Sequence, residues 1–172
     1  IRLQSGGWFQ TTVVAWNGGT WRPGGAEQQQ SSGVFGWHSE DSYDWTFVAP
    51  VALASDFPES CEGPNENSIV ERSDGSILAV IRLDGDPNPA WAPKTCPCHG
   101  ACSSAKNFVS TTSTSEGRSW SKPLEMRDSA GGGIGCVMPR LLKLDSGPLL
   151  LTSGRLHTEN TVDIFLWVSR SG

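Results

Sequence analysis

The densest group of reactive side chains is Cys96-Pro97-Cys98-His99-Gly100-Ala101-Cys102, with Cys61 and Cys136 elsewhere in the chain. Three thiolates and one imidazole form a ligand set that suits zinc. Against that reading, the spacing is tighter than that of CxxC hairpins and no second cluster follows. The other reading is a surface insertion over residues 86–106, either braced by disulfides or reduced. Five cysteines cannot all pair within one chain. The remaining candidates for chemistry are isolated. Tyr43 is the sole tyrosine, and His38, His99 and His157 are scattered. Thirteen basic against eighteen acidic residues give a net charge of −5. With no basic cluster, the chain lacks the face that nucleic acid requires.

Positioning such groups falls to strands. The chain is rich in Gly (20), Pro (11) and Trp (8), which suits many short strands joined by tight turns. No stretch keeps a 3.6-residue apolar period. The longest apolar runs, such as Leu149-Leu150-Leu151, are far shorter than a membrane span. Strands are predicted over 11–16, 33–37, 44–48, 107–112 and 162–168. Two hairpins carry the clearest signal. One is Ser68–Glu71, the turn Ser73-Asp74-Gly75, and Ile77–Arg82. The other is Arg140–Leu144, the turn Asp145-Ser146-Gly147, and Leu149–Thr152. Asp-Gly between apolar runs is a strong hairpin signal. Gly75 and Gly147 lie 72 residues apart, a spacing that suggests a repeat.

A second repeated element follows a strand: Ser-x-(Asp or Ser)-x, a turn residue, then Trp. Its copies are Ser39–Trp45, Ser113–Trp120 and the incomplete Ser169-Arg170-Ser171-Gly172. The side-chain oxygen at the third position can accept turn N–H groups, glycine supplies the open turn, and Trp packs the turn down. Four strands per repeat predict an all-β fold, a β-propeller of four-stranded antiparallel blades, of which 1–172 is part. About two to three of a presumed six blades are expected, with the domain cut at both ends. A β-sandwich is the alternative, but it gives no reason for the repeat.

These elements resemble the sialidase (neuraminidase) superfamily. The turn motif is similar to that family's Asp box, S-x-D-x-G-x-T-W. Asp41 keeps the acid, while Ser115 and Ser171 replace it; Tyr43 stands for the glycine. Non-enzymatic propellers also carry such boxes. More specific is Asn65-Glu66 through Asp74-Gly75 to Arg82, which resembles the family segment N-E-x-x-V-V-E-L-x-D-G-x-L-L-x-x-x-R. Residues 138–155 resemble the following blade. The likeness covers roughly 33–172, and the first 32 residues match only loosely.

The resemblance implies an exo-sialidase-like retaining glycoside hydrolase that removes terminal sialic acid without a cofactor or metal. Sialic acid carries a carboxylate on its anomeric carbon, so guanidinium groups would hold it and tyrosine would replace the usual carboxylate nucleophile. By that likeness Glu66 is the catalytic acid–base group that takes the tyrosine proton. Arg82 is the substrate-binding arginine. Arg155, eight residues after Gly147 as Arg82 is seven after Gly75, is the second candidate, although the family places its third arginine nearer Glu159 or Asn160. The first arginine, the acid aspartate and the nucleophilic tyrosine have no match in this chain. The implied partner is a sialylated glycan, with no nucleic acid and no membrane span. The implied setting is extracellular, lysosomal or the cell surface. The alternative is a non-catalytic propeller that binds glycan or protein.

Overall fold

A computed structural model of the chain describes residues 1–16, 31–57, 63–83, 108–131, 134, 137–154 and 164–169. They form an all-β body of ten strands in three antiparallel sheets, with no closed barrel. The first sheet is β1 (Trp8–Trp16), β2 (Ser31–Ser39) and β3 (Thr46–Leu53), in that order. The second is β4 (Asn67–Glu71), β5 (Ile77–Ile81), β6 (Val109–Ser113) and β7 (Leu124–Glu125). The third is β8 (Val137–Lys143), β9 (Leu149–Gly154) and β10 (Ile164–Ser169). Apart from one 3-10 turn at Ala54–Asp56, no helix occurs among the described residues, and so none is long and apolar enough to cross a membrane.

Both expected hairpins form, and a third turn shares their bonding. Arg72 N–H reaches Ser76 O and Gly75 N–H reaches Arg72 O; Leu144 with Pro148 and Gly147 with Leu144 repeat this. Leu3 with Gly7 and Gly6 with Leu3 repeat it again. Gly6, Gly75 and Gly147 all take positive φ, at 103°, 81° and 106°, where a side chain would be strained. So the N-terminal residues, loosely matched by sequence, contain the same turn. Gln4 also ties the first turn to the second: its N–H donates to Glu71 Oε2 and its side-chain amide to Arg72 O, both at 2.8 Å.

The sheets stack face to face. Residues 77–81 form an unbroken apolar run, and all five are buried, as a strand covered on both faces requires. Ala79 and Ile81 pack with Val34, Val51, Ala52 and Phe57 of the first-sheet region. Leu78 and Val80 pack with Val70, Phe108, Leu149 and Leu151, joining the second sheet to the third.

The Ser boxes close the outer turns. Asp41 Oδ1 accepts the N–H groups of Tyr43 and Asp44, both at 2.9 Å, while Trp45 Nε1 donates to Ser42 O. In the second copy Ser115 Oγ accepts one backbone N–H, that of Ser119 at 2.9 Å, and also pairs with the Ser119 hydroxyl, while Trp120 Nε1 donates to Gly117 O. Open backbone falls on Ser42 in the first and on Glu116 and Gly117 in the second. In the first box it therefore precedes Tyr43, the residue aligned with the motif's glycine. Gly117 lies against the Phe9 ring of the first sheet, and Trp120 stands 6.1 Å from that ring.

The N–H groups of Asp44 and Tyr43, then the Ser39 hydroxyl, hold the Asp41 carboxyl below its ordinary range. Since the folded value is the lower one, ionised Asp41 favours the folded state above the unfolded value of about 3.9. That contribution is lost as pH falls through the folded value. The thermal midpoint is expected to drop as pH is lowered from about 5 to below about 4. Asp41→Asn should lose less over the same window, because it has no charge there to neutralise.

Candidate functional site

The pairing of β4 with β5, with Asn67 opposite Ile81, continues one step beyond the strands. Arg82 N–H donates to Glu66 O at 2.8 Å and Asn65 N–H to Arg82 O at 3.0 Å. Glu66 and Arg82 are therefore directly opposite each other, and their side chains meet. Arg82 Nη1 lies 3.0 Å from Glu66 Oε2, with the arginine side chain 16% exposed and the glutamate 37%.

Both side chains lie on the face turned toward the third sheet. Glu66 Oε2 also accepts Met138 N–H at 2.7 Å, and Ser68 Oγ accepts Leu141 N–H at 2.9 Å. On the opposite face Thr11 of β1 hydrogen-bonds Asn67 at 2.5 Å. Three sheets thus converge on the β4 end that begins with Glu66. Met138 reaches Glu66 because its backbone is left-handed, with φ 54°, at the irregularity between Val137 and Arg140. That conformation costs a non-glycine residue about 1–2 kcal/mol. Met138→Gly is expected to leave stability unchanged or raise it by up to about 1 kcal/mol, measured by denaturant unfolding, because the N–H that grips Glu66 is retained.

Two features bear on chemistry. Among the described residues both contacts of the Glu66 carboxylate, to Arg82 and Met138, are made by Oε2. Arg82 Nε is buried without an acceptor among the described residues, an energetic deficit that an oxygen ligand would remove. The site is the open end of the strands. Two grooves elsewhere, one along Pro50–Phe57 and Trp120–Pro123 and one between the second and third sheets near Trp167, include neither residue.

Arg155 lies outside the described residues, as do all five cysteines with the 86–106 segment, Trp91, His99 and His157. By register, Leu149 opposite Ser169 matches Ile77 opposite Ser113, so Gly154 holds the position that Arg82 holds in the second sheet. Arg155 is one residue beyond it. Arg140 is exposed on β8 and donates to Pro139 O at 3.2 Å. Tyr43 is 85% exposed in its turn. His38 lies 3.8 Å from Glu40 near the end of β2, the central strand of the first sheet. No group of three metal-ligating side chains occurs among the described residues. Sequence reasoning missed Met138, whose contribution is a backbone N–H that no residue type announces.

No family model matches the chain, and no curated protein matches it. Among solved structures it resembles a protein of unknown function from Dyadobacter fermentans DSM 18053, at 16% identity and a TM-score of 0.61. The match covers 98% of this chain and 49% of that one. The chain therefore spans about half the length of that protein, and the likeness is one of fold.

Proposed function

We propose that the three sheets are blades of a sialidase-like β-propeller, and that Glu66 and Arg82 belong to the pocket of an exo-sialidase-like retaining glycosidase. The observation that carries this reading is the pairing of an acid with a guanidinium at one end of adjacent strands, where three sheets converge. The repeated turns and Ser boxes support the blade assignment.

In this reading Arg82 binds the carboxylate of a terminal sialic acid on a glycan, with Arg155 as a second guanidinium. Glu66 accepts the proton of a tyrosine supplied from outside these 172 residues, and the phenolate attacks the anomeric carbon. The acid that protonates the leaving oxygen also lies outside them. Water then releases the sugar with net retention. A second reading, glycan binding without turnover, is favoured by one observation: Arg82 and Met138 already hold one Glu66 oxygen in place.

The test is hydrolysis of a fluorogenic sialoside by the full-length protein, with Glu66→Ala and Arg82→Ala beside it. Turnover lost in both variants supports the hydrolase. Turnover indifferent to both would sink the site. Sialic acid binding without turnover, abolished by Arg82→Ala, would favour the second reading.

A further inference from the structure

Met138 is the strained residue of the site. Its backbone is left-handed, with φ 54°, and Pro139 favours extended backbone in the residue before it. What this conformation provides is the N–H bond to Glu66 Oε2, at 2.7 Å. A glycine would make the same bond with less strain, so the bond alone gives no reason for a methionine. Packing gives none either. Pro139 is fully buried, but Met138 is 53% exposed and belongs to none of the hydrophobic clusters formed by the described residues. Strain without compensating packing, next to a paired acid and guanidinium, points to a side chain that meets a ligand.

The position of that side chain sets which part of a ligand it can reach. Two bonds separate the Met138 Cβ from the nitrogen that Glu66 holds, so the side chain starts no more than about 6 Å from the Glu66 oxygen. In the glycosidase reading, on which this inference rests, Glu66 serves the tyrosine that attacks the anomeric carbon. Sialic acid carries its carboxylate on that same carbon, so a sugar held through Arg82 presents its reacting end here. Met138 therefore stands where the bond to the leaving group breaks, and away from the sugar's distal substituents.

A methionine is unbranched and polarizable, adapts to surfaces of different shape, and packs favourably on aromatic rings. We propose that Met138 is a specificity residue that contacts the aglycone, the group that leaves. It favours glycosides whose aglycone turns an apolar face, such as an aryl ring or the carbon face of a sugar ring, toward the scissile bond. The contact is made by the side chain, whereas Glu66 is positioned by the backbone N–H of the same residue, so substitution can remove the first and keep the second.

The experiment compares two ligands on the full-length protein: a fluorogenic aryl sialoside, which has an aglycone, and free sialic acid, which has none. Met138→Gly is expected to lower kcat/KM for the aryl sialoside about 3- to 10-fold. The inhibition constant of free sialic acid should stay at the wild-type value, and the melting temperature should not fall. Met138→Leu, which keeps the strained backbone and an apolar side chain, should recover most of the loss. Should the protein bind without turnover, the same comparison is read from the two dissociation constants. Equal losses for both ligands, no loss for either, or a lowered melting temperature with unchanged activity per folded molecule would overturn the aglycone contact. Glu66→Ala and Arg82→Ala, measured alongside, separate this failure from that of the glycosidase reading. Activity lost in both, with Met138→Gly equal to wild type, overturns the contact alone; a protein with neither turnover nor sialic acid binding overturns both.

Discussion

Gly117→Ala is expected to lower the unfolding free energy by about 2–5 kcal/mol, through two additive causes. The residue has φ 83°, where an added methyl is strained by about 1–2 kcal/mol. The new Cβ would also stand 2.1 Å from Phe9 Cε2, and the ring cannot retreat because it is fully buried and Gly36 presses on it as well. Phe9→Ala alone should cost about 3–5 kcal/mol as a buried aromatic truncation. The informative result is the double variant. With the ring gone the clash disappears and only the backbone cost remains, so the two losses should fall short of additivity by about 1–3 kcal/mol. Urea unfolding of the four proteins measures this, and strict additivity would show that the box and the first sheet are not in contact.

The second large effect concerns the acid and the guanidinium. If the full-length protein hydrolyses sialosides, Glu66→Gln should reduce kcat by about 100- to 10,000-fold, the usual loss for a positioned proton acceptor, with little change in KM. Arg82→Ala should act mainly through substrate binding. A charge-assisted hydrogen bond contributes about 1.5–3 kcal/mol, so kcat/KM should fall roughly 10- to 150-fold. Arg82→Lys should recover only part of that, because an ammonium lacks the two-pronged edge. A structural role for the pair predicts otherwise: both variants would lower the melting temperature, since each leaves a partly buried charge alone, while the activity per folded molecule stays constant. Comparing kcat with the folded fraction separates the two.

Much of this arrangement was legible in the residues. The Asp74-Gly75 turn announced the hairpin of β4 and β5, and the family resemblance singled out Glu66 and Arg82, which the structure places opposite each other at its open end. The apolar run from Ile77 announced a strand, and the structure shows it covered on both sides. Other parts were hidden for physical reasons. The Leu3–Gly7 turn carries Gln4-Ser5-Gly6, without the aspartate that marked the other two turns. Strand β3 runs through Pro50, which sequence reasoning treats as a breaker. The proline is tolerated because β3 is an edge strand and its pairing shifts register there. Met138 was invisible because its part in the site depends on a backbone angle. Arg155 was chosen by counting from Gly147 and lies outside the described residues, one step beyond Gly154, the residue that corresponds by register to Arg82.

The unlike faces of the second sheet bear on how such a chain can arise. A body with two equivalent faces per layer has no preferred order, so layers that fuse can do so in conflicting orientations. Here the second sheet meets the first through Ile77 and Ala79 and the third through Leu78 and Val80, so its two faces are not interchangeable. Tandem duplication of a segment of about 70 residues would extend the series without rewriting an interior contact. Its heritable unit of growth is then the whole layer, and substitutions can accumulate within one layer's outer turns while the shared seams constrain the rest.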